Sequence, residues 1–289
     1  MIKTSISSWI KIISELGKVR ISLPIALSAY TGYALKTGTF DGQAMMLMAG
    51  VFLMSCSSGA INHLQEYQTD ALMPRTKNRP IPSGKISPKG AFWVALSFFA
   101  YGAFILITNF PILVFLTSLL TLLSYNAIYT PLKKITAFAV VPGSLVGALP
   151  PYIGWFAGGG DWLNGDIFWV ALFFFIGQIP HFWLLLLMFG KEYELAGFPS
   201  LHSVFSDNQI KRLSFTWILA TIATAIVVSL EVLQGSVLMF FLLLYIFYAL
   251  FSLSASMLVQ HDIKARPAFF KLNFLYLMMM IVLIADSLF

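Results

Sequence analysis

Nine stretches of mostly apolar residues punctuate the chain, at 21–35, 43–61, 91–108, 112–130, 138–157, 167–189, 213–230, 237–259 and 268–285. Most approach the ~20 residues that an α-helix needs to cross the hydrocarbon of a bilayer. The runs are continuous rather than alternating, which predicts helices and excludes the dyad pattern of a barrel strand. An all-α membrane protein with nine transmembrane helices is the expected fold class. The segment before the first span, residues 1–20, is amphiphilic and reads as an interfacial lead-in. It has no small-residue cleavage site after a short apolar core, so no cleavable signal peptide is expected.

Composition sharpens the exclusion. Of 289 residues 58% are apolar and 10% charged, against about 25% charged in a soluble domain. Mean hydropathy is +0.83. The one cysteine, Cys56, rules out an intrachain disulfide and a cysteine metal cluster. A net charge of +6 might be taken for a nucleic-acid signal, but no nucleic-acid partner is expected, because the cations follow topology. With the spans alternating, seventeen of the eighteen Lys and Arg residues fall on one side, and Lys36 alone falls on the other. Cations are retained in the cytoplasm, which places the N-terminus inside and the C-terminus outside.

Two of the inside connections are long and polar, at 62–90 and 190–212, and reactive groups are expected there. In the first, Asn62, Glu66 and Asp70 stand at i, i+4 and i+8, one row of oxygen-bearing side chains on a helix. Ser58 and Ser55 carry the stripe back into the second span. Such hard ligands suit Mg²⁺, which takes one or two carboxylates together with phosphate oxygens. Arg75, Lys77 and Arg79 follow within nine residues, and guanidinium forks bind phosphate. The alternative is a solvated juxtamembrane loop held inside by its cations.

The sixth span carries Gln178-Ile-Pro-His181-Phe182, and Glu192 lies eleven residues beyond His181. On an ideal helix Gln178, His181 and Glu192 would share a stripe from mid-membrane to the rim, with Pro180 loosening the register. An intramembrane ionisable residue marks a functional site by default; a neutral imidazole bonded to a neighbouring helix is the plainer account of His181, and interfacial solvation that of Glu192. Tyr125 and Tyr129 close the fourth span just before Lys133 and Lys134. The fifth span gathers Pro142, Gly143, Gly147, Pro150, Pro151 and Gly154, which implies close helix approach or local unwinding. A transporter would place ionisable groups or broken helices at the midplane; only His181 and this fifth span fit that, while the acidic chemistry sits at one face.

At these residues the sequence resembles the UbiA superfamily of intramembrane prenyltransferases: nine helices, two acidic motifs after the second and sixth, and the run Arg75-Thr-Lys-Asn-Arg-Pro-Ile-Pro-Ser-Gly84. Asp70-Ala-Leu-Met73, Tyr129-Thr-Pro-Leu-Lys-Lys134 continuing to Gly147-Ala-Leu-Pro-Pro-Tyr-Ile-Gly-Trp155, and Gln178-Ile-Pro-His-Phe182 with Tyr193-Glu-Leu-Ala-Gly-Phe-Pro199 are similar to its heme-farnesylating branch in particular. That branch usually has Trp, Asp and Met where this chain has Gly177, Glu192 and Ser200. The resemblance implies one prenyltransferase domain over 1–289, with its helices around a central cavity in a bacterial inner membrane and its active site facing the cytoplasm. It implies farnesyl diphosphate as donor and heme b as acceptor and substrate, with a quinone precursor or other aromatic as the alternative acceptor. Asn62, Glu66, Asp70 and Glu192 would hold Mg²⁺, while Arg75, Lys77, Arg79 and Lys133 would clamp the diphosphate. Tyr125, Tyr129, Gln178 and His181 would line the substrates, His181 as an axial or orienting contact for heme. A downstream heme-modifying enzyme would be a partner.

Overall fold

The computed structural model describes residues 6–199, 201, 204–235, 237–258 and 263–289; Lys3 and Ser200 lie outside them. Every element within these residues is helical. A short amphipathic helix α1 (Ile6–Leu16) turns Ile12 and Leu16 inward and leaves Ile6 and Ile10 exposed, the disposition of a helix lying in the interface. The long helices follow: α2 (Val19–Thr37), α3 (Gly42–Asp70), α4 (Pro88–Asn109), α5 (Ile112–Leu132), α6 (Ala137–Ala157), α7 (Gly165–Leu195), α8 (Asp207–Glu231), α9 (Val237–Leu258) and α10 (Ala265–Leu288).

Their starts are written locally. Asp41 accepts from the Ala44 amide, Ser87 from Gly90 with Pro88 in the first turn, and Asn164 from Asp166 and Ile167. Ser206 and Gln209 form a reciprocal capping box. Each side chain satisfies an amide that the helix leaves orphaned. At the other end of α2, Gly38 adopts a left-handed conformation and donates to Ala34.

Eight of these helices, α3 to α10, are long and apolar enough to cross a membrane. The nine-span expectation is met for those eight. α2 is 19 residues long, but Ser22, Ser28 and Thr31 dilute its apolarity. They can do so because this helix faces protein, with Ser22, Ser28, Ala29, Thr31 and Ala34 all buried.

Each long helix packs on its successor, and α10 closes on α2 to complete a ring. Cross-contacts of α2 with α6 and of α7 with α10 flatten it. The α2–α6 crossing is the tightest. A Cβ on Gly154 would fall 1.7 Å from the Ala29 carbonyl oxygen, and one on Gly32 would fall 1.8 Å from that of Pro151. Backbone thus meets backbone with no room for a side chain. One apolar cluster fills the α7–α10 side of the ring and another the α2–α6 side. The unwinding expected in the fifth span is present: α6 begins with a 3₁₀ turn (Ala137–Ala139) and breaks at Ser144 after Pro142 and Gly143. α3 runs on to Asp70, so the acidic row of the first loop is a helical row.

Candidate active site

At one end of the ring a cavity of about 190 Å³ opens between α3, α5, α6 and α7. Its polar wall is the ladder on α3. Asn62 and Asp70 are 1% exposed and Glu66 is 5% exposed, yet all three line the cavity. Burial of that kind is costly unless each group is partnered, and each rung has a cation from a different part of the chain. Lys18 Nζ donates to Asn62 Oδ1 at 2.6 Å. Lys133 Nζ lies 2.6 Å from Glu66 Oε1. Arg79 Nη1 donates to both oxygens of Asp70, at 2.8 and 2.7 Å.

The row is aimed by a polar seam between α3 and α5. Ser58 Oγ donates to Asn126 Oδ1 at 2.7 Å, and Gln65 Nε2 donates to the Asn126 carbonyl at 2.8 Å. Asn126 Nδ2 returns bonds to the Ser58 carbonyl and to Gln65 Oε1. Asn62 Nδ2 in turn donates to Thr130 Oγ1 at 3.1 Å. On α5 the backbone widens into a π turn over Ser124–Tyr129, with the Thr130 amide reaching back five residues to Tyr125. It is the turn just before Pro131, which lacks an N–H and crowds the carbonyl four residues earlier. This turn stacks Tyr125 on Tyr129, with centroids 5.5 Å apart, and Tyr129 meets Phe182 of α7 at 5.2 Å. All three rings line the cavity, which becomes apolar toward Leu185 and Leu186.

The cavity brings together eight of the residues expected from sequence: Asn62, Glu66, Asp70, Arg75, Arg79, Tyr125, Tyr129 and Lys133. Four do not line it. Lys77 is exposed between Arg75 and Arg79. Gln178 packs against Gly147 of α6, where a Cβ would come 2.5 Å from its Cγ. His181 faces α10, with its ring 4.7 Å from that of Phe269. Glu192 Oε2 accepts from the Arg75 backbone amide at 3.2 Å. The expected Gln178–His181–Glu192 stripe is therefore split, since positions three apart differ by about 60° around a helix and here that angle separates two neighbours. Gly177 also faces α10: a Cβ on it would come 2.4 Å from the Tyr276 hydroxyl oxygen.

Lys18 is the residue that sequence reasoning missed. It lies 44 positions from Asn62, in what reads as the interfacial lead-in, and only the turn between α1 and α2 brings it back. Burial, with repulsion from Arg79 and Lys133, lowers its ammonium to about 7. Phe182 of the Gln178–Phe182 run, rather than the neighbouring His181, lines the cavity.

The donor set fits a divalent cation that shares its shell with a ligand. Among the described residues no three His, Cys, Asp or Glu side chains gather into a protein-only metal site. Asn62, Glu66 and Asp70 instead offer buried oxygens on one wall, and a polyphosphate would complete the coordination. The geometry defines a class: a helical membrane protein with a cavity at one end of the bundle in which carboxylates, cations and aromatic faces lie within reach of one another.

Comparison with known proteins narrows that class. The UbiA prenyltransferase family matches residues 25–278; the chain belongs to this family and is a prenyltransferase. The protoheme IX farnesyltransferase of Oleidesulfovibrio alaskensis is 35% identical over 204 residues, 71% of this chain and 72% of that protein. That of Geobacter sulfurreducens is 35% identical over 180 residues, 62% and 66% of the two chains. Among solved structures, an apo UbiA homolog from Aeropyrum pernix K1 matches with a TM-score of 0.74 at 17% identity, covering 93% of this chain and 98% of that one. A UbiA homolog from Archaeoglobus fulgidus bound to DMAPP and Mg²⁺ gives 0.71 at 15% identity, covering 95% and 98%. At such identities the likeness is one of fold.

Proposed function

We propose that this protein transfers a farnesyl group from farnesyl diphosphate to a vinyl group of protoheme IX, giving heme O. One observation carries the reading: three buried oxygen-bearing residues on α3, each held by its own cation, face a cavity that is also lined by the rings of Tyr125, Tyr129 and Phe182. The names of the relatives supply the acceptor and the isoprenoid.

Asn62, Glu66 and Asp70 would hold Mg²⁺, with Glu192 beside the cavity-lining Tyr193 assisting a second ion. Bound there, the metal neutralises charge on the diphosphate. Arg79, Lys133 and Arg75 would bind phosphate oxygens, with Lys77 drawing the anion in from the rim. Fixed cations aimed at the departing oxygens stabilise the bond-breaking state electrostatically. As the C–O bond opens, its electron pair leaves with diphosphate. The faces of Tyr125, Tyr129 and Phe182 would stabilise the allylic cation, and the apolar depth of the cavity would keep water from it. The heme vinyl carbon then attacks, and water adds beside the macrocycle and releases a proton to solvent, leaving the hydroxyethylfarnesyl group. Gln178 and His181, on the other faces of α7, are assigned to the acceptor; His181 Nδ1 is buried without a hydrogen-bond partner.

The whole chain acts as one domain in this reading, with nine spans and the ladder at the cytoplasmic face of a bacterial inner membrane. A heme-modifying enzyme would take up the product. The test is product analysis by mass spectrometry, with purified protein, Mg²⁺ and farnesyl diphosphate given heme and a quinone precursor side by side. Farnesylated hydroxyethyl heme is the expected product; a prenylated quinone precursor with unaltered heme would reassign the acceptor.

A further inference from the structure

Lys18 is built into the active site by a segment that lies before the family match, which begins at residue 25. Its backbone has φ 47°, and among the described residues it is the sole non-glycine with positive φ. A lysine gains nothing locally from that conformation, so the surrounding structure must impose it. The contacts that impose it are specific. Gly59 of α3 lies directly under the turn, where a Cβ would come 3.3 Å from the carbonyls of Leu16 and Gly17. Ser22 Oγ donates to the Gly17 carbonyl at 2.9 Å and itself accepts from Ser55 Oγ at 2.9 Å. Leu16 beside it is fully buried. Helix α1 ends, the chain reverses for one residue, and the side chain at that residue points into the cavity.

Its partner there is chemically telling. Lysine has no acceptor, so the atom that it meets must be Asn62 Oδ1, while Asn62 Nδ2 is occupied by Thr130 Oγ1. The ammonium therefore sits on the one ladder oxygen of Asn62 that a divalent cation would use. Its other neighbour, the Tyr125 hydroxyl at 3.4 Å, is neutral, and no carboxylate pairs with it among the described residues.

We propose that Lys18 is a donor-binding residue, kept on Asn62 as a place-holder until metal and diphosphate arrive together. When they do, the ammonium gives up Asn62 Oδ1 to the metal and takes a diphosphate oxygen instead. The turn that joins the interfacial helix α1 to α2 thereby contributes a functional group to the site. This rests on the prenyl-diphosphate reading above.

Two binding measurements test it, neither requiring turnover: Mn²⁺ alone, and farnesyl thiodiphosphate in the presence of Mg²⁺, each titrated into the detergent-solubilised full chain. Lys18→Met should weaken the thiodiphosphate by about tenfold or more, the loss of one charged contact, while Mn²⁺ alone binds as well as or better than in the parent. Lys18→Arg, which keeps the charge, should stay within about threefold of the parent. Equal thiodiphosphate affinity in parent and Lys18→Met, or Mn²⁺ binding lost with it, overturns the proposal. Should Lys18→Met not fold, Lys18→Gln is held to the same outcomes. If the parent itself binds no thiodiphosphate, it is the prenyl-diphosphate reading that fails.

Discussion

Arg79 holds both oxygens of Asp70 through Nη1 alone, which leaves Nη2 and Nε, with their own donors, to meet a phosphate. A lysine at 79 would keep the charge and lose the fork. Arg79→Lys should therefore raise KM for farnesyl diphosphate about tenfold and leave KM for the acceptor within about twofold, as steady-state kinetics with each substrate varied would read. Equal losses for both would argue against a diphosphate clamp. At this scale the ladder was legible because a four-residue spacing survives any ordinary helix. The cations were legible only in part. Arg75 and Arg79 line the cavity and Lys77 does not, because residues 71–86 form successive turns, a geometry that composition does not specify. Lys18 was illegible: its position depends on one reversed backbone residue and on packing against Gly59.

Among the elements, the widened turn of α5 matters most for chemistry. Stacked Tyr125 and Tyr129 face the cavity because the helix is a residue too wide at Ser124–Tyr129, and such bulges recur at functional sites. Pro131 follows immediately and removes the N–H that would restore the ordinary ladder. Pro131→Ala should let this turn tighten, rotating one or both rings away from Phe182. The expected outcome is a melting temperature equal to or above that of the parent, with turnover down about tenfold, a trade of function for local regularity. Unchanged turnover in a folded variant would show that the stacked pair needs no widened turn. The break in α6 was readable from its prolines and glycines, but this one was not. A single proline at a helix end more often marks a stop than a register shift, and only the tertiary contacts of Tyr129 with Phe182 and of Asn126 with Ser58 and Gln65 distinguish the two.

Orientation belongs to the whole molecule. The apolar runs offered nine spans, of which eight are long and apolar enough to cross; the remaining helix, α2, is dilute in apolar residues because its face is given to Pro151 and Gly154 of α6 rather than to lipid. Counting α2 as a span places the N-terminal cations on the same side as both long connections, and cations prefer the cytoplasm. On this count the other side holds Lys36, whose ammonium lies 5.2 Å from the Trp155 ring centre, so the far ends of α2 and α6 lie together. If α2 did not cross, the N-terminal segment would fall on the face opposite the ladder's end of α3, although Lys18 bonds Asn62 there. Single-cysteine labelling separates the cases, and Cys56, fully buried, contributes little background. Thr39→Cys, in the exposed α2–α3 connection, should react with a membrane-impermeant maleimide from outside sealed cells. Ser7→Cys, exposed on α1 before α2, should react only after permeabilisation. Labelling of both from one side would break the nine-span arrangement, and with it the argument that the diphosphate cavity opens to the cytoplasm.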